Sequence, residues 1–106
     1  MDKSQIIAKI KDVASKVLPQ GSKLILFGSQ ARGSARPDSD WDIIILVERD
    51  HITAIEAGDI AYPFYSAGWE MKVEINPVIY TFKDWQKRHF TPFYHNVSIE
   101  GIQLWG

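Results

Sequence analysis

Ten residues separate Gly28-Ser29 from Asp40-Trp41-Asp42. Glycine lets a backbone approach a phosphate closely, and consecutive amides in such a turn form an anion-binding concavity. The Ser29 hydroxyl can donate to a β- or γ-phosphate oxygen. Asp40 and Asp42 are two apart, so on a strand their carboxylates leave the same face. Two hard oxygen ligands side by side suit magnesium, which takes its remaining ligands from water and substrate phosphates. A phosphate-cradling turn and a paired-carboxylate strand are together what a protein needs to hold a nucleoside triphosphate with its metal.

A two-metal site needs a third acid on a neighbouring strand. Glu74 is the expected one, an acid within the apolar run Met71 to Tyr80, where alternation places Lys72, Glu74 and Asn76 on one face. Glu70 is the fallback. Two carboxylates about 5 Å apart repel by roughly 3 kcal/mol at an effective dielectric of ~20. A divalent cation compensates three such acids more fully than Arg32, Arg36 or Lys72 could. Arg32 is also a candidate phosphate contact through a charge-assisted hydrogen bond; its competing role is an ion pair with a nearby acid such as Asp38.

The elements that must position these groups follow from patterning. Ile6, Ile7, Ile10, Val13, Ala14, Val17 and Leu18 mark one face of a helix over Lys3 to Leu18, capped by Asp2 or Ser4 and ended by Pro19 and Gly21. Lys23 to Phe27 reads as a strand that ends in the Gly28-Ser29 turn. A turn of helix begins near Gln30, and Gly33 to Ser39 is loop. Trp41 to Val47 is a nearly unbroken apolar run, as expected of a central strand covered on both faces. Ile44 and Leu46 share the aspartates' face; Trp41 points the other way, into the core.

Ile52 to Ala67 is expected to be helical, with Gly58 and Pro63 as weak points. Met71 to Tyr80 is expected as the third strand, and Pro77 sends it to an edge or a bulge. Thr81 and Thr91-Pro92 open two short helices. Gly101 closes the second, and Ile102 to Trp105 is extended. The aromatics from Trp85 to Tyr94 are expected to cover the sheet. The fold class is α/β (α+β), a small mixed β-sheet backed by helices, with residues 1–106 as one domain.

Composition narrows the partners. A net charge of −1 gives no broad basic field, so no extended nucleic-acid surface is expected. The chain has no cysteine, which excludes disulfides, thiolate metal sites and cysteine nucleophiles. His51, His89 and His95 lack metal-ligand spacing. No apolar run approaches the length of a membrane span, so no membrane partner is expected and the expected location is cytoplasmic.

The run from Leu24 to Val47, with Gly28-Ser29, the spacer, Asp40-x-Asp42, the Ala31-Arg32-Gly33 insert and the Ser39-Asp40 pair, resembles the minimal nucleotidyltransferase domain of the DNA polymerase β superfamily. The resemblance implies a polymerase β palm-like fold and magnesium-dependent transfer of a nucleoside monophosphate, AMP from ATP, to an acceptor hydroxyl. It implies Asp40, Asp42 and Glu74 as catalytic and metal-binding residues, and Gly28, Ser29 and Arg32 as nucleotide-binding ones. Glu74 stands where the family usually has Asp, one methylene shorter. Domains of this size resemble antitoxins that adenylylate a tyrosine of a helical HEPN-type toxin. Two other readings fit the same residues: a catalytically degenerate module that binds a partner, and an aminoglycoside-type small-molecule nucleotidyltransferase, for which a homo-oligomer would supply the second half of the site.

Overall fold

The computed structural model describes residues 1–106. Four strands form one mixed sheet in the order β3-β2-β1-β4. β1 (Lys23–Phe27) and β2 (Trp41–Val47) pair antiparallel, β3 (Ile75–Thr81) runs parallel to β2, and β4 (Ile102–Trp105) lies antiparallel to β1. The parallel step from β2 to β3 needs a crossover, and α3 (Ala54–Met71) supplies it. This is the mixed α/β architecture expected of the sequence.

α1 (Lys3–Val17) and α3 cover one face of the sheet. Their Ile6, Ile10, Val13, Ala14, Ile60 and Phe64 bury against Leu24, Leu26, Trp41, Ile43, Ile45 and Val47. Both helices start on a capping box, Asp2 with Gln5 and Thr53 with Glu56. The opposite face carries Ile44 and Leu46, sealed by Trp85 of α4 (Phe82–Lys87) and Val97 of α5 (Pro92–Glu100). Trp85 stands 5.3 Å from Phe93 and 4.9 Å from Tyr94, centroid to centroid, so these three cover the sheet, whereas Phe90, expected to do the same, is 79% exposed.

One boundary differs from expectation. The helix expected over Ile52 to Ala67 runs to Met71, and the third strand begins at Ile75 rather than Met71. Gly58 and Pro63 do not end the helix, because Ile60, Ala61, Phe64 and Ala67 are buried on its inner side. Gly68 lets the last turn press onto the start of β3; a Cβ there would lie 2.8 Å from the Val73 carbonyl oxygen. Lys72, at φ 58°, closes the helix in the left-handed conformation and redirects the chain. Strict alternation from Met71 therefore does not hold through Lys72, and Glu74 is the last residue before the strand. Pro77 lies, as expected, on an edge strand.

Candidate active site

β2 delivers the paired aspartates. Asp42 sits opposite Phe27 of β1 on one side and Asn76 of β3 on the other. Asp40 precedes the strand, and the loop before it is pinned in place. The buried Gln30 side chain donates to the Ser39 carbonyl at 3.2 Å, while Ser39 Oγ accepts from the Arg36 amide at 2.8 Å. Trp41, between the two aspartates, is buried on the opposite face.

The third acid is brought alongside. The Trp41 amide donates to the Glu74 carbonyl at 2.8 Å, which fixes the end of β3 beside the mouth of β2. The Glu74 carboxyl is held above the usual carboxylate range, first by a hydrogen bond shared with Asp40, then by the charge of Asp40 and, after desolvation, that of Asp42. Asn76 completes the cluster: its Nδ2 donates to Asp40 Oδ2 at 3.2 Å and to Asp42 Oδ1 at 3.3 Å. Sequence reasoning missed this residue as part of the site. The signal was present, because Asn76 lies two positions beyond Glu74 on the same face.

Gly28 closes the other side. It adopts φ 75° and ψ −159°, a conformation essentially confined to glycine. A Cβ on it would lie 2.6 Å from Asp42 Oδ2, so the turn and the carboxylate meet only because no side chain intervenes. Ser29 follows as the first residue of α2 (Ser29–Arg32), a single turn that offers oriented amides rather than a full macrodipole. Arg32 is not directed at the aspartates: its Nη1 pairs with Glu100 Oε2 of α5 at 3.1 Å. That partner is remote in sequence and is not the neighbouring acid Asp38. A hollow of about 230 Å³ beside Gly28 is lined by Phe27, Arg32, Phe93, Asn96 and Glu100.

The donor set fits a divalent cation. Asp40 and Asp42 present hard oxygens side by side, and both accept from the neutral Asn76 amide. Glu74 is not closed with them into a ready three-acid cage; Asp40 is the main influence that raises its carboxyl above the ordinary range. The raised Glu74 value has a consequence for stability. A folded state that holds this proton more tightly than the unfolded chain loses stability as pH rises through the raised value. Glu74→Gln should therefore melt at a higher temperature than the native chain at neutral pH in EDTA. The difference should vanish below the ordinary carboxylate range, as thermal melts at the two pH values would read.

The comparisons with known proteins agree with this geometry. A model of the family described as "Nucleotidyltransferase domain" matches residues 7–93. No curated protein matches in sequence. Among solved structures, a toxin–antitoxin crystallised with AMP-PNP is 25% identical, with a TM-score of 0.64 over 94% of this chain and 73% of that one. A tyrosine-to-alanine mutant of the toxin–antitoxin MntA-HpeT is also 25% identical, with a TM-score of 0.52 over 100% of this chain and 73% of that one. A protein from Shewanella oneidensis at 18% identity shares the fold, with a TM-score of 0.60 over 99% of this chain and 73% of that one. With most of its length matched and the glycine turn seated against paired aspartates, this chain belongs to the nucleotidyltransferase domain family and is a nucleotidyltransferase.

Proposed function

We propose that this chain transfers AMP from ATP to a hydroxyl of a protein partner, a tyrosine of a helical HEPN-type toxin, and thereby acts as its antitoxin. The observation that carries the reading is the pair Asp40 and Asp42, bridged by the Asn76 amide at the mouth of the sheet, with Gly28 packed against Asp42. The structural relatives support the nucleotide and the partner: one was solved with AMP-PNP, and two are toxin–antitoxin structures.

In this reading Asp40 and Asp42 hold magnesium, with Glu74 completing the set. Magnesium bound there supplies positive charge to the phosphate oxygens as negative charge develops on them. The Gly28-Ser29 turn holds the β- and γ-phosphates through its amides and the Ser29 hydroxyl. Glu74 accepts the proton of the acceptor hydroxyl, and Asn76 keeps Asp40 and Asp42 aimed at one point. Arg32, tied to Glu100, reaches the phosphates only by exchanging that exposed ion pair, a contact of small worth in water.

Incubation with α-labelled ATP and magnesium, with and without the product of the adjacent gene, tests the proposal. The expected result is label on the partner, stoichiometric pyrophosphate and complete suppression by EDTA. Absence of transfer together with absence of Mg-ATP binding would remove it.

A further inference from the structure

The three acids divide the mouth of the sheet into two sides. Gly28 and Ser29 lie on the β1 side of Asp42, and Glu74 lies on the β3 side, where the sheet ends. On that side a hollow of about 590 Å³ is lined by Tyr65, Trp69, Lys72, Val73, Glu74 and Ile75. Its aromatic wall belongs to the outer side of α3. Trp69 is 64% exposed and Tyr65 39%, and their rings stack at 6.4 Å with an interplanar angle of 22°. Tyr62 extends the same stripe, edge-on to Trp69 at 6.0 Å. Neither Tyr65 nor Trp69 belongs to the apolar core of this chain.

Phosphoryl-type displacement keeps the attacking and leaving oxygens roughly in line. If pyrophosphate departs toward the Gly28-Ser29 turn, the attacking hydroxyl must arrive from the opposite side, over Glu74. We propose that the hollow between α3 and the start of β3 receives the acceptor, a hydroxyl-bearing side chain on an apolar polypeptide segment, with Tyr65 and Trp69 selecting it. This rests on the transfer reading above. The hydroxyl oxygen forms a bond to the α-phosphorus of the nucleoside triphosphate, the bond from that phosphorus to the bridging oxygen breaks, pyrophosphate leaves, and the proton passes to Glu74.

Charge selects polypeptide over nucleic acid. Glu74 lines the hollow, with Asp40 acting on its carboxyl from beyond the wall, and Lys72 is the single cation in that wall. A phosphodiester strand would meet the acid Glu74 and, in Lys72 alone, too little positive charge to release counterions. Apolar side chains lose water against Trp69, Tyr65, Val73 and Ile75 without that penalty.

The test uses the full chain, α-labelled Mg-ATP, and two acceptors: the peptide acetyl-Leu-Tyr-Phe-amide and a six-residue oligoadenylate with a free 3′-hydroxyl. The peptide should be labelled and should shift the Trp69 indole N–H resonance, assigned with Trp69→Phe; the oligoadenylate should do neither. Trp69→Ala and Tyr65→Ala should each raise KM for the peptide about tenfold, with Kd for Mg-ATP within twofold of native, and Trp69→Phe should restore most of the loss. Unchanged KM in both alanine variants, an unlabelled peptide despite bound Mg-ATP, or labelling of the oligoadenylate with a Trp69 shift would each overturn the acceptor site. Failure of the native chain to bind Mg-ATP would instead overturn the transfer reading, and this inference with it.

Discussion

Asp42→Asn should lower transfer about a thousandfold or more while leaving the chain folded. Asp42 is only half-buried, and the substitution keeps its shape, so neither a cavity nor an overpacked contact results. On the proposed function it removes one of two adjacent charges that would hold a cation at the reacting phosphate. Electrostatic groups aimed at developing charge commonly contribute two to three orders of magnitude each, and a metal ligand acts on every phosphate oxygen the cation touches. The loss should appear in kcat, with far-UV circular dichroism and thermal midpoint close to native. A chain that still transfers AMP at more than a tenth of the native rate would mean that Asp42 is not a metal ligand. Asn76, which donates to both aspartates, would then be the more informative residue to replace.

Gly28→Ala tests the other side of the site and should damage both stability and turnover. At φ 75° and ψ −159° a side chain is strained by about 1–3 kcal/mol wherever it points. Here it also points at Asp42, and an added methyl group 2.6 Å from Oδ2 must push either the turn or the carboxylate aside. A displacement on the order of 1 Å in a reacting constellation can cost about a hundredfold in rate. The expected result is a lower thermal midpoint together with a roughly hundredfold fall in transfer. Gly33→Ala makes a useful control. It sits in the milder left-handed region, at φ 74° and ψ 12°, and has nothing within 4 Å of the added Cβ, so its effect should be a smaller one confined to stability. Equal losses of activity in the two variants would remove the Gly28–Asp42 contact from the mechanism.

Much of this arrangement is legible in the residues because local rules and tertiary packing agree. The strands over Lys23 to Phe27, Trp41 to Val47 and Ile102 to Trp105 are bounded as patterning expects, since glycine, proline and polar residues flank clean apolar runs. The aspartate pair is readable for the same reason: period two on a strand leaves no choice of face. Where expectation and structure part, long-range packing overrides a local signal. Pro63 and Gly58 read as helix breakers, yet α3 continues for eight residues past Pro63 because its buried side is anchored on the sheet. The late start of β3 follows from that extension and from the left-handed Lys72. Arg32 finds Glu100, 68 residues away, and no pattern within the loop reveals such a partner. Asn76 was overlooked because a neutral amide in a strand draws no notice until the carboxylates beside it are seen.

Pro77 has a consequence for how this molecule meets others. β3 keeps an unbroken register with β2 through Pro77, so the missing amide donor belongs to the outward rim of the sheet. An incoming chain that tried to zip along that rim would lose a rung in the middle, which disfavours strand-swapped pairing and fibrillar stacking there. Any protein that approaches this border must therefore be gripped by side chains rather than by shared backbone. Backbone pairing of a second copy along the border beside Glu74 is disfavoured in that way.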